Sequence, residues 1–169
     1  GGYEKVIYRA DWSVLGTGAL PRARIASETI KDSVDVCDLV DEKAHGYVMP
    51  GPSGGFTEMK ILADPADATA DLWDGGRRVG GGHRESFRVR GLEAGHAAHL
   101  VIRMAPEGKH TIHVTVNGRE IGTRSFDRSE GWLEETFSIP EGNVQAESWV
   151  SIANEGPADF IDYHAWITQ

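Results

Sequence analysis

Residues 110–126 (HTIHVTVNGREIGTRSF) constrain the fold of this chain more than any other stretch. Ile112, Val114 and Val116 alternate with Thr111, His113 and Thr115, the period of two expected of a half-buried strand. Asn117-Gly118 follows at once, and both residues tolerate the positive φ that a type I′ hairpin turn requires. Residues 119–126 then return as the partner strand. On this phase His113 and Thr115 share the solvent face, opposite the aliphatic set.

Short strand-like runs continue along the whole chain. They are residues 5–9 (KVIYR), 33–40 (SVDVCDLV), 45–49 (HGYVM), 56–62 (FTEMKIL), 85–89 (ESFRV), 99–104 (HLVIRM), 133–139 (LEETFSI), 148–153 (SWVSIA) and 163–168 (YHAWIT). Turn chemistry separates them: the 21 glycines cluster between runs, residues 50–55 read PGPSGG, and Pro140 closes the run 133–139. Residues 65–72 (PADATADL) are expected to form a short turn of helix, and no helix of ordinary length is expected elsewhere. About ten short strands with Gly, Pro and Asn turns predict an all-β, antiparallel sandwich. No repeat, linker or low-complexity tract divides the chain, so one domain is expected over residues 1–169.

Composition narrows the partners. A formal charge of −9 repels phosphate backbones, which argues against nucleic acid. No stretch approaches the roughly 20 apolar residues that span a bilayer. The single cysteine, Cys37, excludes an internal disulfide. Its aspartate neighbours disfavour a thiolate, and its place in residues 33–40 reads as a small buried hydrophobe. The chain opens at Gly1-Gly2-Tyr3 without a methionine, as expected of a processed chain or a piece of a longer protein.

Catalytic templates are missing from the sequence: there is no Gly-x-Ser-x-Gly, no P-loop and no His-Glu-x-x-His. Gly80-Gly81-Gly82-His83 lacks the lysine and following helix of a phosphate cradle and reads as a loop between strands. The seven histidines show no metal-ligand spacing. His45 and His164 read as satisfied buried histidines, and Trp149 and Trp166 as core residues within apolar alternation.

Residues 99–103 (HLVIR), 112–122 (IHVTVNGREIG), 132–140 (WLEETFSIP) and 162–167 (DYHAWI) carry a resemblance. Together they resemble the second half of galactose-binding-domain-like jelly rolls, the fold of many carbohydrate-binding modules. In that order stand a core strand, a hairpin with Val-Asn-Gly, a strand ending in Ile-Pro and a closing strand. The resemblance implies a jelly-roll sandwich and a non-catalytic carbohydrate-binding or accessory module, part of a larger glycan-active or surface protein. It also implies an extracellular or secreted location, a glycan partner and a contact with a neighbouring domain.

Under that implication tryptophans matter, because the apolar face of a pyranose stacks on an indole while polar neighbours hold its hydroxyls. Trp12 and Trp73, in polar loop-like settings, are the expected platforms, with Arg77, Arg78 and His83 as polar partners. Jelly rolls of this kind often carry a structural calcium, which takes carboxylate and carbonyl oxygens. Its expected ligands are Asp38, Asp41, Glu42 and Asp162, with Asp159 nearby. Two rival expectations remain: a structural domain packed on a catalytic neighbour, and a small metal-dependent, cupin-like enzyme using His83, Glu85 or His164.

Overall fold

Two antiparallel sheets pack face to face. The computed structural model describes residues 27–49, 60–63, 73–129 and 131–169, with the backbone alone at 60–63, 73 and 74. In chain order the elements are β1 (Ile30–Asp35), α1 (Leu39–His45), β2 (Lys60–Ala63), β3 (Trp73–Val79), β4 (Arg84–Arg90), β5 (Ala98–Pro106), β6 (His110–Val116), β7 (Arg119–Phe126), β8 (Leu133–Ile139), β9 (Glu147–Asn154) and β10 (Phe160–Thr168). A 3-10 turn at Glu141–Asn143 joins β8 to β9. One sheet runs β2-β3-β10-β5-β8, with β1 beside β10; the other runs β4-β9-β6-β7.

β10 organises the larger sheet, and all nine of its residues are buried. One edge pairs with β5 along its length, while the other is shared, with β3 at Phe160–Asp162 and β1 from His164 to Thr168. A register shift between Asp162 and His164 marks the hand-over. It turns Asp162 toward the interior and His164 toward the outer face, an effect typical of a bulge.

The core lies between the sheets. Leu100, Ile102 and Met104 of β5 meet Ile112, Val114 and Val116 of β6, Phe87 and Val89 of β4, and Val150 and Ile152 of β9. Alternation on each strand sends the intervening residues outward. The predicted hairpin forms as read: His110 pairs with Phe126 and Val116 with Arg119, and Asn117 and Gly118 have φ of 52° and 76°.

Residues 33–40 depart from expectation. β1 ends at Asp35, and Cys37 takes a φ of 80°, so it is a partly exposed turn residue instead of a buried strand residue. Asp38 then caps α1, accepting from the backbone N–H of Val40 (2.8 Å) and Asp41 (3.1 Å). α1 stops at Gly46, whose φ of 59° fits a left-handed cap. The expected strand at 45–49 is therefore the helix end plus one bridge, Val48 with Ser86. Of the run 56–62, residues 60–62 are strand, in β2, and residues 56–59 lie outside the described residues. The readings at residues 5–9, 50–55 and 65–72 lie outside the described residues.

Candidate functional site

The outer face of the four-stranded sheet is built from the residues that alternation turns away from the core. β4 contributes Arg84, Ser86, Arg88 and Arg90; β9 contributes Glu147, Trp149, Ser151 and Ala153; β6 contributes Thr111, His113 and Thr115. Register aligns them in rows across the strands. Arg84, Ala153, His113 and Thr123 form one row, Ser86, Ser151, Thr115 and Glu120 the next, and Arg88 stands beside Trp149 in the third.

In the middle row Ser86, Ser151 and Thr115 make a floor of short hydroxyl side chains between two rows that carry large ones. Ser86 Oγ donates to Ser151 Oγ (2.9 Å), and Ser151 Oγ donates to the Glu85 carbonyl (3.2 Å). Val48 prolongs the floor past β4, exchanging backbone hydrogen bonds of 2.9 and 2.8 Å with Ser86. Trp149 rises beside this floor with 37% of its surface exposed. The Arg88 guanidinium lies 5.9 Å from its ring centroid, a cation–π arrangement that holds the indole on one side.

Charges at the rim are mostly answered. Glu147 accepts from Arg90 Nε (2.9 Å) and Arg88 Nη1 (3.5 Å), and Arg90 Nη1 also donates to the Ala44 carbonyl at the end of α1 (3.0 Å). The Arg90 hydrogen bond holds the Glu147 carboxyl below its ordinary range. His113 Nε2 lies 2.9 Å from Glu155, and its Nδ1 lies 3.2 Å from Thr123 Oγ1. The result is a polar, partly open surface with one aromatic plate, suited to a hydroxylated ligand that also has an apolar face.

A second polar cluster lies inside the sandwich. Glu85 of β4 and Asp162 of β10 have no exposed surface and come from opposite sheets. Tyr47 Oη donates to Glu85 Oε2 (2.5 Å), and Arg77 donates through Nε and Nη2 to the two oxygens of Glu42. Burial raises the Glu85 pKa to about 7; the interactions with Asp162 and Tyr47 oppose that rise and Glu42 adds to it. Burial also pushes the Tyr47 hydroxyl well above its ordinary range.

The expected site residues do not gather in one place. Trp12 lies outside the described residues. Trp73 opens β3, its backbone paired with Ala63, so its setting is a strand and not a loop. Arg77 is buried and committed to Glu42, which withdraws it from any surface ligand. Arg78 pairs with Glu107 (2.6 Å) and Asp159 (3.1 Å). His83 is partly exposed in the β3–β4 turn, where the glycine run was expected to form a loop.

The four expected calcium ligands are likewise dispersed by function. Asp38 caps α1, Asp41 accepts from the Asp35 backbone N–H (2.6 Å), Glu42 holds Arg77, and Asp162 faces the interior. Among the described residues, no group of three or more His, Cys, Asp and Glu is placed to hold a metal. His83, Glu85 and His164 are not brought together either: Glu85 points between the sheets, and His164 stacks on Trp166 on the far side of the larger sheet. His45 is buried as read, between the Asp41 carbonyl (2.9 Å) and Asp32 (3.2 Å).

Trp149 is the residue that the sequence reading misplaced. It is not core; Val150, Ile152 and Ser148 take the inward phase of β9, and Trp149 shares its face with Ser151. That shared phase was the available signal. Trp166 is buried as expected, at 2% exposure.

No family model matches the chain, and no curated protein does. Solved structures do. The CBM22-1–GH10 modules of Clostridium thermocellum endo-1,4-β-D-xylanase 10B, complexed with xylohexaose, align over 84% of this chain at 16% identity and a TM-score of 0.51. The chain spans 28% of that protein. A carbohydrate-binding module of Cellvibrio mixtus lichenase 5A, in complex with cellotriose, aligns over 83% of this chain and 98% of its own length, at 11% identity and a TM-score of 0.50. At such identities the likeness is one of fold: the chain is a β-sandwich of the jelly-roll kind found in carbohydrate-binding modules.

Proposed function

We propose that this chain is a non-catalytic carbohydrate-binding module, that its glycan lies on the outer face of the four-stranded sheet, and that it serves a larger secreted glycan-active protein. The observation that carries the reading is Trp149, a half-exposed indole set beside a floor of Ser and Thr hydroxyls. A sugar ring placing its C–H face on Trp149 brings its hydroxyls over Ser151 and Thr115. The Arg88 guanidinium keeps the indole from turning and adds donors at its edge. The jelly-roll fold, shared with modules solved with xylohexaose and cellotriose, supports the reading by analogy of scaffold.

Titration calorimetry against xylo- and cello-oligosaccharides, followed by a wider glycan panel, tests this directly. The wild-type chain is expected to bind at least one member, and Trp149→Ala to lose most of that affinity. Because the ligand sits on indole and hydroxyls, binding is expected to be equal in calcium and in chelator. Undiminished binding by Trp149→Ala would remove this face as the site, and a blank panel would remove the function.

A further inference from the structure

We propose that the glycan taken by this face carries an anionic unit, carboxylated or sulfated, seated over Ala153 against Arg84, while a neighbouring unit stacks on Trp149; this rests on the glycan reading above.

The first support is the charge pairing on the sheet. Five arginines of the four-stranded sheet are described, and four have partners: Arg88 and Arg90 hold Glu147, Arg119 reaches Gly142 and Asn143, and Arg124 holds Glu135. Arg84, exposed on the same face of the same strand as Arg88, has no hydrogen bond or ion pair among the described residues. The chain has 26 acidic residues against 17 Lys and Arg, so a shortage of carboxylates does not explain this. Neither Glu120 nor Glu155 answers it: Glu155 lies 2.9 Å from His113 Nε2, and Glu120 accepts from Thr123 Oγ1 (3.0 Å).

Shape supplies the second support. The residue beside Arg84 in its row is Ala153, and beyond Ala153 stands His113. A methyl group between two long side chains leaves a recess with a guanidinium on one wall. Guanidinium presents a fixed fork of N–H donors that matches a carboxylate or sulfate, and such charge-assisted hydrogen bonds exceed neutral ones in strength. Arg84 and Arg88 stand four residues apart on β4, about 13 Å along the strand. One sugar ring does not reach both the recess and Trp149, so the ligand is an oligosaccharide whose units differ: one apolar-faced, one charged.

The test compares acidic polysaccharides with their own neutralised forms, by affinity electrophoresis and calorimetry on the whole chain. Glucuronoxylan and polygalacturonate are set against their carboxyl-reduced forms, and carrageenan against its desulfated form. The wild type is expected to bind at least one acidic polymer tenfold or more tighter than its neutral counterpart, and whichever pair shows the preference identifies the acid. Arg84→Ala is expected to bind that acidic polymer no better than the neutral one, with an unchanged melting temperature. Arg128→Ala, an exposed arginine off this face, is expected to keep the preference. Equal binding of acidic and neutral forms by the wild type, or a preference that survives Arg84→Ala, overturns the anionic subsite while leaving the glycan reading intact. Binding to no polymer in either form overturns both.

Discussion

Each sheet carries a tryptophan beside an arginine on its outer face, and the two pairs have opposite fates. On the six-stranded sheet Arg103 lies between Trp132 (4.7 Å) and Trp166 (4.9 Å), and His164 stacks on Trp166. Arg103 is 1% exposed and donates to Glu134 through Nε and Nη2. On the four-stranded sheet the Arg88–Trp149 pair keeps one indole face accessible. The side chains are the same; what differs is whether water reaches them. A buried aromatic–cation stack fixes structure, whereas an accessible one offers a surface that a ligand can cover.

Removing the arginine from each pair gives the sharpest contrast. Arg103→Ala leaves Glu134 buried without its guanidinium and opens a gap between two indoles. Unfolding by denaturant is expected to show a loss of about 3–5 kcal/mol, the range for breaking a buried ion pair. Arg88→Ala, on the open face, is expected to cost under about 1 kcal/mol. Equal losses would erase the distinction between the faces.

Glu85 lies fully buried between the two sheets, and its titration sharpens the comparison by showing how dry the space between the faces is. Glu85 is raised from 4.5 unfolded to about 7 folded, so the folded state holds its proton more tightly. Stability is therefore full at or below about pH 4.5, falls as pH rises to about 7, and is then level with respect to this group. The drop is expected to be on the order of 2–3 kcal/mol. Denaturation at pH 5 and pH 8 checks it, and Glu85→Gln, which stays neutral, is expected to flatten the profile. A profile unchanged by Glu85→Gln would assign the slope to other groups.

Trp149→Ala should weaken glycan binding about tenfold or more, equivalent to about 1.4 kcal/mol. Stability should change by less than about 1 kcal/mol, because the indole is partly in water already. Trp166→Ala should do the reverse, unfolding the protein more readily with no direct effect on the ligand face. A binding defect in Trp166→Ala larger than that in Trp149→Ala would break the comparison outright.

Period two and turn chemistry made much of the fold legible. Asn117-Gly118 set the register of β6 and β7, and the runs at 99–104, 133–139, 148–153 and 163–168 became β5, β8, β9 and β10. Residues 33–40 misled because a helix start can imitate alternation. Asp38 followed by Asp41 and Glu42 was the capping signal, and it competed with an apolar phase of Val34, Val36 and Val40 that Asp38 itself interrupts. The site was harder to read, since period two sorts a strand into two sets without saying which set meets water. For β9 the aliphatic pair Val150 and Ile152 decides the question, which leaves Trp149 outside. Arg77 and Asp162 look like surface residues by type. Only the β3–β10 register, which sets them opposite each other and facing inward, reveals that they are not.

β4 therefore carries two interleaved messages in seven residues. Its odd positions, Glu85, Phe87 and Val89, speak to the interior, while Arg84, Ser86, Arg88 and Arg90 speak to whatever lies outside. The two sets are free to change separately. Variants that differ only in the second set would keep the scaffold and alter its outer face, so this strand is the natural place to retune the proposed glycan site.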